Sequence, residues 1–81
     1  MKIPPNESIL ILNVSKNTEL INIGKTTLII SNSKIQYPTK ILNPKTTTIL
    51  NTNDDFIKIS NANATLEGEC KIKTIKDITT N

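Results

Sequence analysis

The apolar residues of this chain recur at every second position in short bursts, and asparagine, proline or glycine separates one burst from the next. Alternation at period two is typical of half-buried β-strands, whereas an amphipathic helix needs apolar residues three and four positions apart. No burst is long enough for such a helix. We therefore expect an all-β fold, a small β-sandwich or barrel of about seven to eight short antiparallel strands.

The composition also favours strands over helices. Isoleucine and threonine are among the commonest residues, and alanine occurs only at Ala62 and Ala64. Isoleucine and threonine are β-branched and pack well on a pleated sheet, whereas alanine is the strongest helix former. Local preference and apolar spacing thus predict the same class of structure.

The 81 residues are enough for one small domain. We expect an extended N-terminal arm over residues 1–7, a β-sandwich domain over 8–76 and a flexible tail over 77–81. Pro4 and Pro5 stiffen the arm, because proline fixes the backbone angle φ.

Glycine and proline mark the predicted strand ends. Gly24 lies between two apolar bursts and predicts a hairpin of strands 19–23 and 26–31, since glycine tolerates the positive φ of tight hairpin turns. Segment 34–37 is expected to be a strand ended by a proline, and Gly68 marks a bulge or bend. Further strands are expected at 8–14, 39–42, 46–50 and 56–60, and a last strand is expected to consist of the segments 64–67 and 69–75 on either side of Gly68.

Segment 8–14 is apolar on both faces. One face carries Leu10, Leu12 and Val14, and the other carries Ile9 and Ile11. A strand of this kind needs cover on both sides, and a domain this small has no third layer to supply it. We therefore expect a homo-oligomer, a dimer or trimer, or docking on a larger protein assembly. The residues predicted to lie at this interface are Pro4, Pro5, Ile9, Ile11 and Ile29.

Residues that carry much of enzyme chemistry are missing from the sequence. It contains no histidine and no arginine, and its single cysteine is Cys70. Histidine-based triads, multi-cysteine zinc sites and an intrachain disulfide are excluded. Cys70 alternates with Ile72 and is predicted to be a small core residue. Glu67 and Glu69 flank Gly68 and are interpreted as solvated edge residues. We predict no enzyme activity, no catalytic residue and no cofactor.

One loop is rich in oxygen ligands. Asp54 and Asp55 follow Asn51 and Asn53 closely, and such side chains suit Ca²⁺. A calcium ion takes six to eight oxygens, and this loop lacks the glycine hinge and bidentate glutamate of a helix–loop–helix site. Because Asn and Asp also close turns on their own backbone, we interpret the loop as a turn and predict no metal site.

The net charge of +3 and the isoelectric point of about 9.2 raise the question of nucleic acid. Specific readers rely on arginine, and single-strand binders stack bases on aromatic rings. The chain has no arginine, and Tyr37 and Phe56 are its only aromatic residues. Scattered lysines would support only weak, non-specific, salt-sensitive binding, so we do not expect nucleic acid as a partner.

No membrane partner is expected either. The longest apolar run covers residues 9–12, far short of the ~18 residues that a spanning helix needs. No apolar signal-peptide core follows Met1 and Lys2, so we expect no standard export.

Two stretches illustrate the strand rhythm of this chain: Thr-Thr-Thr-Ile-Leu-Asn at 46–51 and Ile-Lys-Ile-Ser-Asn-Ala at 57–62. In this rhythm, and in the abundance of isoleucine, asparagine and lysine that AT-rich codons produce, the chain resembles small all-β accessory proteins on virions of tailed phages. These are capsid decoration, head-fibre and tail-associated subunits. The resemblance implies a β-sandwich or tulip-like fold, often trimeric, that clamps capsomers or faces the host. It also implies location in the virion, with the cytoplasm as the alternative, and it assigns no residue a role.

A second class of function fits the same residues. A small inhibitor or adaptor can bind one host protein by adding a strand at a sheet edge, which needs no catalytic group. Stoichiometry distinguishes the two classes, because a virion subunit is present at many copies in each particle and an inhibitor is not.

Overall fold

The computed structural model describes residues 1–34 and 39–74. Within these residues the chain forms eight strands and no helix. The strands are β1 (Lys2–Ile3), β2 (Ser8–Val14), β3 (Glu19–Asn22), β4 (Leu28–Asn32), β5 (Lys40–Leu42), β6 (Thr47–Ile49), β7 (Asp54–Asn61) and β8 (Gly68–Lys73). The all-β prediction is confirmed.

The strands form two four-stranded antiparallel sheets. One has the order β1-β8-β3-β6, and the other has the order β2-β7-β4-β5. In chain order the first strand pairs with the last, the second with the seventh, the third with the sixth and the fourth with the fifth. This nested order is that of a jelly roll, in which one long hairpin is rolled into a two-sheet sandwich.

The register shows that the long hairpin is continuous between β2–β7 and β3–β6. Ser8 faces Ser60 and Glu19 faces Ile49, so both arms advance by the same number of residues from one pair to the next. Backbone hydrogen bonds continue the ladder where the arms cross from one sheet to the other. The amide of Leu50, for example, donates to the carbonyl oxygen of Thr18 at 2.9 Å.

The inward-facing side chains of both sheets form one core. In β7, Ile57 and Ile59 are fully buried, whereas Phe56 and Lys58 are exposed, as their alternation predicts. Cys70 is buried and Ile72 packs against the core, which confirms the predicted inner face of β8. Among the described residues, the buried apolar side chains are Ile3, Val14, Leu20, Leu28, Ile30, Leu42, Leu50, Ile57, Ile59 and Cys70.

The predicted hairpin around Gly24 is wrong. Strand β3 pairs with β6 and β8, and β4 belongs to the other sheet, so residues 23–27 cross between the sheets. Gly24 has no positive φ. A Cβ atom at this position would lie 2.8 Å from the backbone nitrogen of Glu69, so glycine allows the close approach of two chain segments rather than a tight turn.

The N-terminal segment is part of the sandwich rather than a separate arm. Lys2 and Ile3 form β1, which pairs with β8, and the side chain of Ile3 is fully buried. The predicted strand at 64–67 is absent, and Gly68 begins β8. Most of the strand predicted at 34–37 and the tail at 77–81 lie outside the described residues.

Candidate docking surface

The outer face of sheet β2-β7-β4-β5 carries exposed apolar side chains, with Lys58, Ser60 and Ser31 between them. Leu10 is 59% exposed, Leu12 67% and Ile41 69%, and Phe56 adds a ring that is 37% exposed. We call this face the outer apolar surface and define it by Leu10, Leu12, Ile29, Ile41 and Phe56. Single exposed apolar side chains are ordinary in folded proteins, but a group of them on one sheet face is typical of an interaction site.

The strand register determines which members of this surface are neighbours. Leu12 faces Phe56 across β2 and β7, and Ile29 faces Ile41 across β4 and β5. Lys58 lies between these pairs, directly opposite Leu10. Cross-strand partners have Cβ atoms about 4.5–5.5 Å apart, so Leu12–Phe56 and Ile29–Ile41 are contiguous apolar pairs.

The outer face of the other sheet has a different character. Charged side chains lie along β1, β3 and β8 on this face. Lys2 also forms an ion pair with Glu67, with 3.8 Å between their exposed side chains. Ile49 in β6, 49% exposed, is its most exposed apolar residue. The charged positions on this face are Lys2, Glu19, Glu69, Lys71 and Lys73. The two faces of one sandwich therefore differ in the chemistry they offer to a partner.

The structure divides the predicted interface residues into two groups. Ile29 lies half-buried on the outer apolar surface. Ile9 and Ile11 point inward and pack against the core. Pro4 and Pro5 are half-buried in the connection from β1 to β2.

On β2 the exposed positions are Leu10 and Leu12 rather than Ile9 and Ile11. Segment 8–14 has apolar residues at both its odd and its even positions, so the sequence could not show which of the two faces of the strand lies against the core. Val14 was predicted to share the face of Leu12, but it is buried. The preceding Asn13 has a φ of 54°, in the left-handed region, and this interrupts the alternation.

The free edge of β2 is the second feature of this site. Among residues 1–34 and 39–74, β2 pairs only with β7. Native edge strands are usually short or are protected by lysine or proline. The other edge strands here have two or three residues, whereas β2 has seven and contains neither a charge nor a proline. Within the part of the chain that the structure describes, this edge of the β2 backbone has no strand partner.

Two buried asparagines form hydrogen bonds that connect the two sheets and the segments between strands, a role that the sequence pattern did not reveal. Asn22 in β3 donates through Nδ2 to the carbonyl oxygens of Thr26 at 2.7 Å and Leu42 at 2.9 Å. Asn61 in β7 makes similar bonds to β1 and to the loop before β8. Each asparagine occupies an inward position of its strand. An amide side chain at a position where the alternation expects an apolar residue was the sequence feature that could have indicated this role.

The oxygen-rich loop lines a shallow cleft of about 380 Å³. Asp54 is not a turn residue but the first residue of β7, and it is buried. Its Oδ1 accepts a hydrogen bond of 2.6 Å from the Ser33 hydroxyl. The side chain of Asn53 accepts a bond from the backbone amide of Lys16 at 2.7 Å. Within the described part of the chain, no three metal-ligating side chains of the His, Cys, Asp or Glu type come together.

Cys70 lies in the core, away from the outer apolar surface. Burial raises the pKa of its thiol, while a backbone hydrogen bond from Ile21 and the N-terminal charge act in the opposite direction. A thiol with a raised pKa is a poor nucleophile at neutral pH. The side chain therefore contributes to packing.

Comparison with protein-family models, curated proteins and solved structures finds no match to this chain. None of the described elements is a helix long and apolar enough to cross a membrane.

Proposed function

We propose that this protein is a non-enzymatic structural subunit that docks on a larger protein assembly through its outer apolar surface. The most specific form of the proposal is a virion accessory protein of a tailed phage, in capsid decoration, a head fibre or the tail. The observation that carries it is the exposure of Leu10, Leu12, Ile41 and Phe56 on one sheet face.

Burial of this surface would favour docking. Complete burial of a leucine, isoleucine or phenylalanine side chain is worth about 1.5–3 kcal/mol. Burying the exposed fractions of Leu10, Leu12, Ile41 and Phe56 therefore contributes about 3–7 kcal/mol per subunit. Association itself costs about 4–15 kcal/mol, so the proposal requires further contacts with the assembly in addition to this surface.

The topology gives independent support of a weaker kind. Jelly rolls occur in viral capsid proteins and also in lectins and cupins. A shared fold does not determine function, so the jelly roll supports the virion proposal only by analogy.

Quantitative mass spectrometry of particles purified from the phage or host that encodes this chain tests the proposal. A virion subunit is expected at a fixed stoichiometry of tens to hundreds of copies per particle. Absence of the chain from the particles would contradict the virion proposal.

A matched pair of variants then tests the surface. Ile41→Lys places a charge on the outer apolar surface, and Ile49→Lys makes the same change on the opposite, charged face. Both positions are exposed, so each variant is expected to keep its folding stability within about 0.5 kcal/mol. We expect Ile41→Lys to be depleted from the particles and Ile49→Lys to be retained. Equal retention would contradict docking through this surface.

The free edge of β2 favours one alternative function. An adaptor or inhibitor that binds a host protein by strand addition needs a long unpaired edge, and β2 offers seven residues without charge or proline. This function predicts a one-to-one complex with a single host protein and absence from particles.

A further inference from the structure

We propose that two copies of this chain pair antiparallel through their β2 edges, with the two-fold axis at Ile11. The proposal deepens the proposed function, because Leu10 and Leu12 belong to both the edge and the outer apolar surface. The site then binds a second copy of this chain before it binds the larger assembly.

The hydrogen-bond pattern identifies the free backbone groups of β2. The amide of Asn61 donates to the carbonyl oxygen of Glu7 at 2.9 Å, in the register that pairs Ser8 with Ser60. In an antiparallel ladder, hydrogen-bonded and non-hydrogen-bonded pairs alternate. The backbone groups of Ile9 and Ile11 therefore point to β7, and those of Leu10 and Leu12 point away from it. The two exposed leucines thus also provide the free N–H and C=O groups of the edge.

A register centred on Ile11 satisfies these groups. It places Leu10 opposite Leu12 of the second copy, and the two-fold axis repeats the pair. Leu10 and Leu12 exchange hydrogen bonds in each pair, and their side chains become cross-strand neighbours on the outer face. Each pair therefore provides both main-chain bonds and apolar contact.

Charge complementarity favours a second copy in the antiparallel direction. Residues 8–14 carry no charge, and Glu7 and Lys16 lie just beyond the two ends of the strand. Both side chains are exposed. In the proposed register, Glu7 of one copy lies opposite Ser15 of the other, so Glu7 and the Lys16 of the second copy are at the same end of the paired strands. A parallel arrangement would instead place like charges together.

Pairing of this kind joins two four-stranded sheets into one. The outer apolar surfaces of both copies then lie side by side and form a surface of twice the width. A larger assembly would meet this joint surface, with Ile41 at each far edge.

Proline and alanine variants of Leu10 test the edge. Both remove the leucine side chain, but only Leu10→Pro also removes the outward N–H, which the β2–β7 ladder does not use. By analytical ultracentrifugation we expect the wild type to reach twice the 9.0 kDa monomer mass. We expect Leu10→Ala to dimerise more weakly, and Leu10→Pro about tenfold more weakly still. Far-ultraviolet circular dichroism checks that each variant is folded.

A charge swap tests the antiparallel register and avoids proline. Glu7→Lys and Lys16→Glu each place like charges together and are expected to weaken the dimer several-fold. The double variant restores opposite charges and is expected to recover most of the loss.

The outcomes separate this inference from the proposed function. A wild type that stays monomeric at high micromolar concentration overturns the edge dimer, and so does a folded Leu10→Pro that dimerises as well as Leu10→Ala. Additive losses in the double charge variant overturn the register. Incorporation of the chain into particles, measured with Ile41→Lys and Ile49→Lys, tests the proposed function whatever the dimer result.

Discussion

The side-chain amide of Asn61 donates a hydrogen bond of 3.1 Å to the main-chain carbonyl oxygen of Ile3, which joins β7 in one sheet to β1 in the other. The same nitrogen lies 2.8 Å from the carbonyl oxygen of Leu66. Asn61 is buried and 58 residues from Ile3 in the chain. This side chain therefore fixes the N-terminal strand and the β7–β8 connection together.

Asn61→Ala is expected to destabilise the fold by about 2–4 kcal/mol. Its loss removes a buried hydrogen bond to the carbonyl oxygen of Ile3, at about 1–3 kcal/mol, and a part-buried bond to that of Leu66, at about 1 kcal/mol. Asn63→Ala is the matched control, because Asn63 accepts bonds from Thr65 and Leu66 in an exposed turn. Urea denaturation measures both. A loss at Asn61 no larger than that at Asn63 would contradict the bridging role.

A second prediction concerns two buried threonines. The Oγ1 of Thr26 is buried without a hydrogen-bond partner, whereas the hydroxyl of Thr18 lies 3.3 Å from that of Ser15. Valine has nearly the same shape and lacks the hydroxyl, so Thr26→Val is expected to stabilise the fold by about 1 kcal/mol. Thr18→Val loses a hydrogen bond and is expected to destabilise it. Thermal unfolding in which both variants change in the same direction would contradict this assignment.

Gly24 provides a test of close packing. A methyl group at Gly24 would meet the backbone nitrogen of Glu69 at 2.8 Å, and backbone cannot move aside as a flexible side chain can. We expect Gly24→Ala to cost about 1–3 kcal/mol. Lys25→Ala, at the exposed neighbouring position, is expected to change stability by less than about 0.5 kcal/mol. If chemical denaturation gives equal values, the chain crossing is not held by this contact.

Cys70 predicts a loss of stability in alkaline solution. Burial raises the thiol pKa in the folded state above its ordinary value of 9.0. The stability contributed by the neutral thiol is therefore fully present below pH 9 and is lost as the pH rises through the folded-state pKa. In this range the free energy of unfolding decreases by at most about 1.4 kcal/mol per pH unit because of the thiol.

The measurement is urea denaturation from pH 7 to pH 11 for the wild type and Cys70→Ala. All other titratable groups are common to both proteins, so the difference between the curves isolates the thiol. We expect the wild-type stability to fall more steeply above pH 9. Parallel curves would show that Cys70 does not titrate with the predicted linkage.

Local alternation predicted the strands well and their partners poorly. β2 has the predicted bounds, and the inward positions of β7 and β8 match the expected alternation. The Gly24 hairpin is wrong because pairing depends on contacts far apart in the chain, such as Leu20 with Ile72, which no local pattern records.

The outer apolar surface was only half predictable. The apolar character of both faces of β2 indicated that one face would lack cover, and Leu10 and Leu12 are indeed exposed. The sequence could not assign the face, because a strand that is apolar at both parities fits a core either way. The bridging roles of Asn22 and Asn61 became visible only with the pairing of the sheets.

Carbene photo-footprinting of the isolated and the assembled protein shows whether the outer apolar surface is covered on assembly, because carbenes label any exposed side chain. On assembly into particles, we expect reduced labelling at Ile41, Phe56 and residues 10–12, with Ile49 and Lys71 on the opposite face unchanged. Unchanged labelling of the outer apolar surface, or protection of the opposite face instead, would contradict docking through that surface.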